Sequence, residues 1–152
     1  MATGQQSFNT PVGILSAFEE DGKIVALEWG RVPESSPSAL TEEAVRQLKA
    51  YFDGALRRFD LPLDPPGSAF QRAVCEQMCQ IPYGERRTYG DIARVLGKPA
   101  QAVGGACGRN PIPIIIPCHR VVGANGAMTG FSGGEGVETK IWLLQLEGML
   151  MV

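Results

Sequence analysis

The most informative segment is Ile-Ile-Ile-Pro-Cys-His-Arg-Val-Val at residues 114–122. Its polar side chains follow an apolar run that is predicted to be buried. Cys118 stands beside His119, which is the single histidine of the chain. The thiolate is the reactive form of cysteine, and a neighbouring imidazole lowers the pKa of a thiol. Pro113 and Pro117 stiffen the approach to the cysteine. The pattern indicates a nucleophile, with a buried structural cysteine as the alternative.

The rest of the chain has the composition of a globular protein: 152 residues, of which 44% are hydrophobic and 20% charged. No apolar stretch approaches the ~20 residues that a membrane helix needs, and residues 1–6 lack the basic and apolar regions of a signal peptide. We therefore expect a cytoplasmic protein with no membrane partner. The four cysteines form no disulfide framework and match no zinc-binding spacing, so neither a disulfide nor a metal is expected.

Charge is distributed unevenly along the chain. The net charge of −2 at pH 7 by itself argues against a nucleic-acid ligand. Residues 1–67 carry 6 basic and 10 acidic side chains, whereas residues 68–152 carry 8 basic and 6 acidic ones. Between Arg72 and Arg120 there are 7 basic side chains and 3 acidic ones. Because a phosphate backbone meets local charge, this segment can form a DNA-binding face, with scattered surface charges as the alternative.

Residues 1–66 are predicted to form a small N-terminal lobe. Alternating apolar residues on both sides of an Asp-Gly turn predict a β-hairpin over residues 8–30. Thr41 is predicted to cap a helix whose apolar residues recur at helical spacing. Arg57–Leu63 is a candidate further strand, and the Pro- and Gly-rich segment 64–67 reads as the linker to a second lobe.

Residues 67–152 are predicted to form a mostly helical second lobe. Thr88 is predicted to cap a short helix, Gly97 to end it, and a second helix to run to about Cys107. Two short helices joined by a glycine turn have the outline of a helix-turn-helix, although any helical hairpin gives the same signal. A closing helix is predicted over residues 137–149. The predicted class is α+β: a small β-sheet lobe with a helix, followed by a helical lobe with a helix-turn-helix.

Several motifs of the second lobe together resemble the O6-alkylguanine-DNA alkyltransferases. In chain order they are Ala102–Ala106 (Ala-Val-Gly-Gly-Ala), Asn110-Pro111, Ile116–Val122 (Ile-Pro-Cys-His-Arg-Val-Val), Phe131–Gly134 (Phe-Ser-Gly-Gly) and Trp142–Gly148. The Pro-Cys-His-Arg tetrapeptide alone is suggestive, and the full set in order is highly specific. The resemblance implies a protein that repairs DNA by moving an alkyl group from guanine O6 to its own cysteine, once per molecule.

The resemblance implies roles for five residues in the chemistry. Cys118 would accept the alkyl group, and His119, held by Glu147, would act on the thiol through a water molecule. A bridging water fits the local geometry, because adjacent side chains in a helical turn diverge by about 100°. Asn110 would hold the turn before the cysteine segment. Tyr89 would donate a proton to a ring nitrogen of the departing guanine.

The same resemblance implies a base pocket and a DNA-facing surface. The pocket would be formed by Val121, Phe131, Ser132 and Lys140, with the backbone carbonyl of Val121 accepting from the exocyclic amine. The DNA-facing residues would be Gln101, Ala102, Gly105, Arg109 and Arg120. The implied partner is double-stranded DNA containing O6-alkylguanine, bound through its minor groove by a monomer that flips the damaged base. O4-alkylthymine is a further candidate substrate, and no cofactor is implied.

The sequence departs from the family pattern at two positions of the site. Gln101 stands where the family usually has an arginine that enters the base stack in place of the flipped base, and neither Lys98 nor Arg109 is at the matching position. Phe131 replaces a pocket tyrosine, which removes one hydroxyl. The Cys and His ligands of the N-terminal zinc found in some members are absent, so no metal is expected there.

Three function hypotheses follow. The first is stoichiometric repair of alkylated DNA by Cys118. The second is an alkyltransferase-like protein that recognises alkylguanine with weak or no repair; that class lacks the cysteine, but Gln101 keeps this hypothesis open. The third is a cysteine hydrolase, for which His119 is poorly placed because it is the immediate neighbour of the cysteine.

Overall fold

Two compact units, Met1–Pro66 and Gly67–Val152, make up the chain. The computed structural model describes residues 3–128, 134 and 136–149. Within these ranges, no helix is long and apolar enough to cross a membrane.

The first unit carries a three-stranded antiparallel sheet: β1 at Thr3–Thr10, β2 at Gly13–Glu20 and β3 at Lys23–Trp29, in the order β1-β2-β3. The predicted hairpin is β2 and β3. Its turn residues, Asp21 and Gly22, have φ values of 50° and 80°, as two-residue hairpin turns require. Strand β1 is not predicted by the sequence, because its polar start, Thr-Gly-Gln-Gln-Ser, has no alternating apolar pattern.

Helix α1 (Ala39–Phe52) packs on the sheet through an apolar face that includes the fully buried Leu48 and Tyr51. Its N-cap is Ser38, whose Oγ accepts from the Thr41 backbone N–H at 3.0 Å. Thr41 Oγ1 in turn accepts from the Ser38 backbone N–H at 2.8 Å, which completes a capping box. The prediction that Thr41 is the N-cap is therefore wrong: Thr41 is the third residue of the helix and Ser38 has the extended backbone of a cap.

The segment Arg57–Leu63 does not form the predicted strand. Only Leu63 pairs, through an isolated bridge to Ile24. Pro62 has no N–H to donate, and its carbonyl alone takes part by accepting from Ile24 N at 2.9 Å. A continuous ladder is consequently interrupted.

Within its described residues, the second unit contains four α-helices: α2 at Ala69–Cys79, α3 at Tyr89–Leu96, α4 at Ala100–Gly108 and α5 at Val137–Leu146. Thr88 caps α3 through a capping box with Asp91, and Gly97 ends it with a left-handed φ of 65°. Helices α3 and α4 pack together across this short turn, an arrangement compatible with a helix-turn-helix. Gln71 of α2 donates to the Ala106 carbonyl of α4 at 2.8 Å, which ties the first helix to the pair.

Helix α5 is shorter than predicted. It ends at Leu146, and Gly148 has a left-handed φ of 78°. Met149, the last residue of the predicted helix, lies beyond the observed end, whereas Leu143 and Leu144 are fully buried.

A short parallel pair fixes the cysteine segment beside α3. Strand β4 (Arg87–Thr88) pairs with β5 (Val121–Val122), and a 3-10 turn, Cys118–Arg120, directly precedes β5. The isoleucine run before the turn is buried as predicted, with Ile114 and Ile116 at 0% and 1% exposure. The buried isoleucine run therefore holds the N-terminal end of the cysteine turn. The β4–β5 pair, whose strand β4 directly precedes α3, holds its C-terminal end.

Candidate active site

Cys118 lies at the start of the 3-10 turn with 7% of its surface exposed. Burial raises the pKa of its thiol to about 11, while a hydrogen bond from Asn110 and the positive charge of Lys140 act in the opposite direction. In the free protein the thiol is thus protonated at neutral pH. Formation of the reactive thiolate requires a group that takes the proton within this enclosed site.

Asn110 holds the backbone that precedes the cysteine. Its Nδ2 donates to the Ile116 carbonyl at 2.8 Å, and its Oδ1 accepts from the Ile112 N–H at 3.0 Å. Between these contacts, Ile114 has a φ of 74°, a conformation that a β-branched residue rarely adopts and that costs about 1–3 kcal/mol. Asn110 therefore stabilises a strained loop that determines where Cys118 lies.

His119 and Glu147 form a buried pair, as the resemblance implies. His119 Nε2 lies 2.7 Å from Glu147 Oε2, and both side chains are fully enclosed. Burial lowers the pKa of His119, with Glu147 opposing that shift. Because an ionised carboxylate only accepts, Nε2 carries the proton, and a neutral ring then has its lone pair on the buried Nδ1 atom.

Arg120 is buried with 6% exposure, and the prediction that it contacts DNA is wrong. Its Nε and Nη2 donate to the two oxygens of Glu147 at 2.9 and 3.1 Å, and its Nη1 donates to the Ile81 carbonyl at 2.7 Å. These bonds commit the guanidinium to the interior, where no phosphate can reach it. The apolar sequence on both sides of Cys-His-Arg was the available signal that this arginine is internal.

Lys140, Tyr89 and Val121 come together on the other side of the cysteine turn. Lys140 Nζ donates to the Val121 carbonyl at 2.5 Å and lies 5.8 Å from the centre of the Tyr89 ring. Burial lowers the pKa of Lys140, whereas the nearby thiols of Cys118 and Cys107 raise it. The Val121 carbonyl has a second lone pair, so the lysine leaves it able to accept from a bound base as well.

A surface cleft of about 760 Å³ opens between α3, α4 and the turn at residues 124–126. Tyr89 and Gln101 both line this cleft. Gly104 also lines it, and a Cβ at that position would make an ordinary van der Waals contact with the Tyr89 ring at 3.9 Å. The cleft thus brings together one residue predicted for the chemistry and one predicted for DNA contact.

The remaining residues predicted to face DNA lie on the exposed side of α4. Gln101, Ala102, Gly105 and Arg109 are all exposed. The Arg109 guanidinium lies over Gly105: a Cβ on that glycine would be only 3.2 Å from Arg109 Nη1. Phe131 and Ser132, predicted for the base pocket, lie outside the described residues.

The other cysteines do not share this environment. Cys75 and Cys107 are buried, and burial raises the pKa of the Cys107 thiol to about 12. Cys79 is exposed at the end of α2. No cluster of metal-ligating side chains occurs among the residues that the structure describes. Cys118 is distinguished by its neighbours rather than by a low thiol pKa.

Sequence reasoning missed two backbone groups that complete the site. The Gly84 N–H donates to Glu147 Oε1 at 3.2 Å, and the Ile81 carbonyl accepts from Arg120. Backbone groups carry no residue-specific signal, so no pattern in the sequence could have identified them.

Two family profiles match the chain. The 6-O-methylguanine DNA methyltransferase, DNA binding domain covers residues 69–149, and the 6-O-methylguanine DNA methyltransferase, ribonuclease-like domain covers residues 5–65. A methylated-DNA--protein-cysteine methyltransferase of Methanosarcina acetivorans is 48% identical, with 93% of this chain and 96% of the relative covered. One of Mycolicibacterium paratuberculosis is 44% identical, with 93% and 90% covered.

Solved structures have the same fold. The O6-methylguanine methyltransferase of Mycobacterium tuberculosis superimposes with a TM-score of 0.84 at 41% identity, covering 96% of this chain and 93% of the other. A structure of M. tuberculosis OGT in complex with DNA gives 0.84 at 42% identity, covering 94% and 91%. With a profile over each unit and relatives similar along nearly the whole length, the chain belongs to the 6-O-methylguanine DNA methyltransferase family.

Proposed function

We propose that this protein repairs DNA by transferring the alkyl group of O6-alkylguanine to the Sγ atom of Cys118, once per molecule. The bond between guanine O6 and the alkyl carbon breaks, and a thioether forms at Cys118. The observation that carries the proposal is the enclosed thiol at the start of its turn, contacted by Asn110, facing the charge of Lys140, and adjacent to the buried His119–Glu147 pair.

Different residues accept and donate protons in the proposed reaction. As sulfur attacks, the thiol proton leaves through a bridging water to His119 Nδ1, and Glu147 stabilises the imidazolium that forms. The ammonium of Lys140 lowers the energy of the nearby thiolate, as its opposing effect on the thiol pKa indicates. Tyr89 donates to a ring nitrogen of the leaving purine, which gains negative charge as the bond to O6 breaks.

The DNA is proposed to bind as a duplex along the exposed side of α4, through its minor groove, to one copy of the protein. The target base flips toward the cleft lined by Tyr89 and Gln101, which costs a few kcal/mol of stacking and pairing. The small side chains of Ala102 and Gly105 allow close backbone approach. Affinity for duplex DNA should fall steeply between low and moderate salt, because phosphate contacts release counterions.

The test is intact-mass measurement after incubation with duplex DNA containing O6-methylguanine, and in parallel with free O6-benzylguanine. A single mass increase of one alkyl group, located on the Cys118 peptide, is expected from each. Tight binding to lesion DNA without a mass increase would instead favour a lesion-recognition protein. Catalytic ester turnover without a covalent product would favour a hydrolase.

A further inference from the structure

The carboxylate of Glu147 accepts hydrogen bonds from His119, from Arg120 and from the backbone of Gly84. His119 Nε2 and Arg120 Nη2 reach Oε2, while Arg120 Nε and the Gly84 N–H reach Oε1. Arg120 also donates to the Ile81 carbonyl, so its position is fixed independently of the carboxylate. The guanidinium is thus built into the interior together with the pair on which alkyl transfer depends.

This arrangement balances charge inside the protein. Glu147 and Arg120 form an ion pair at 2.9 Å with side-chain exposures of 0% and 7%, which leaves the adjacent imidazole as the variable charge. An unpaired buried charge is costly. With Arg120 present, a neutral His119 gives an electrically neutral group. Without Arg120, the negative charge of Glu147 would be balanced by a proton on His119.

We propose that Arg120 is a positioning residue that keeps His119 neutral, and so able to accept the Cys118 proton, at physiological pH. This proposal rests on the alkyl transfer proposed above. A histidine that is already protonated has no lone pair with which to receive the thiol proton. In the proposed step, the proton passes from Cys118 through water to His119 as the sulfur–carbon bond forms, and Arg120 itself exchanges no proton.

The other charged and titratable groups around His119 are consistent with this assignment. Burial lowers the pKa of His119, the charges of Arg120 and of Lys140 from α5 act in the same direction, and Glu147 opposes them. From the turn after α2, the Tyr83 ring lies 5.8 Å from the Arg120 guanidinium, and its hydroxyl donates to the Leu146 carbonyl. From α2 itself, the thiol of Cys79 experiences the charge of Arg120.

The experiment is a charge cycle that compares Arg120→Met, Glu147→Gln, the double variant and the charge-preserving Arg120→Lys. The pKa of His119 is measured by NMR of the imidazole nitrogens in a Cys118→Ala background. Arg120→Met should raise the His119 pKa by one unit or more relative to the Cys118→Ala protein. The double variant should restore a low value because it removes both charges, and Arg120→Lys should leave the pKa close to that of the parent.

The rate of reaction with free O6-benzylguanine is measured from pH 5.5 to 9 in the same variants with Cys118 retained. If the pKa of His119 is raised, the imidazole is protonated at every pH below the new pKa. The reaction rate should then fall in that pH range. Arg120→Met should therefore lose rate progressively as the pH falls below the raised His119 pKa, by up to about tenfold for each unit of pKa increase, and recover toward pH 9. Arg120→Lys should keep the pH profile of the wild type.

An unchanged His119 pKa in Arg120→Met, or a rate reduced equally at every pH, would assign Arg120 a purely structural role and overturn the proposal. If Arg120→Met does not fold, the double variant and Arg120→Lys decide: a raised His119 pKa in either would overturn it. Because the titration does not depend on alkyl transfer, a wild-type protein that fails to react with duplex DNA containing O6-methylguanine would refute the proposed function separately.

Discussion

The cysteine turn and the exposed side of α4 lie in the same unit but are built in opposite ways. Around Cys118, every residue from Ile112 to Val122 is buried, and polar atoms are joined by specific hydrogen bonds. Along α4, Gln101 and Arg109 are exposed among small residues, and burial is confined to the opposite face of the helix. The proposed chemistry therefore depends on buried geometry, whereas the proposed DNA contact depends on exposed side chains that few tertiary contacts hold in place.

The largest expected effect is that of Cys118→Ala, which should abolish covalent alkylation while leaving binding to lesion duplexes within a fewfold of wild type. Removal of the sulfur takes away the acceptor but does not alter the exposed side of α4. Intact mass and a gel-shift titration measure the two properties. Cys79→Ala is the matched control and should react normally; alkylation on Cys75, Cys79 or Cys107 would defeat the assignment.

Glu147→Gln should slow alkyl transfer by about 10²-fold, the scale of a lost acid–base partner. Without the carboxylate, His119 loses both its orientation and the charge that stabilises its protonated form, so the apparent thiol pKa should rise. Iodoacetamide reactivity as a function of pH reports that pKa directly. The exposed Glu138→Gln on α5 serves as the control. An identical pH profile in the wild type and Glu147→Gln would argue against the relay.

Asn110→Ala should slow transfer by about tenfold and destabilise the protein by about 1–3 kcal/mol, because two buried hydrogen-bonding partners lose their contacts. Asn110→Asp keeps the oxygen that accepts from Ile112 N–H but loses the donor to Ile116, so its effect should be intermediate. Thermal unfolding and the rate with free O6-benzylguanine are the measurements. Full activity in Asn110→Ala would mean that the strained loop around Ile114 holds its shape without the side chain.

The smallest effect is expected on the exposed side. Gln101→Arg should speed transfer from duplex DNA about three- to tenfold, equivalent to roughly 1 kcal/mol. A guanidinium can stack in the gap left by the flipped base and carry charge toward the phosphates. The rate with free O6-benzylguanine should not change, since no flipping is involved.

Gln101→Met, similar in length but uncharged and without hydrogen-bonding groups, is the control and should not accelerate duplex repair. If Gln101→Arg leaves duplex repair unchanged or slower, Gln101 is not at the intercalating position. Arg109, folded over Gly105 on the same side of α4, is then the next residue to test.

Local signals predicted the elements of the fold where the chain's own chemistry decides them. The Asp-Gly turn, the Thr88 cap and the left-handed Gly97 are formed by neighbours in sequence, and each lies where the pattern predicts it. Strand β1 escaped prediction because its stability comes from pairing with β2 and not from its own polar sequence. The predicted strand at Arg57–Leu63 does not form, because Pro62 cannot donate to a ladder and only Leu63 pairs, through an isolated bridge.

Arg120 shows the same division at the site. The sequence shows that it follows Cys118 and His119. A basic residue in such a short motif is equally compatible with a phosphate ligand and with an internal ion-pair partner. Only the fold, which brings the end of α5 against the cysteine turn, decides that the guanidinium meets Glu147.

The sequence by itself determined the family resemblance, and it predicted Cys118 as the nucleophile and, through the resemblance, the pairing of His119 with Glu147. The tertiary structure alone decided the environment of these groups: a thiol whose pKa is raised by burial, a lysine held on the Val121 carbonyl, and an arginine enclosed with its carboxylate. The physical reason is that reactivity depends on solvent exclusion and on the distance between charges. Both quantities arise from contacts between segments far apart in the chain, which no local pattern encodes.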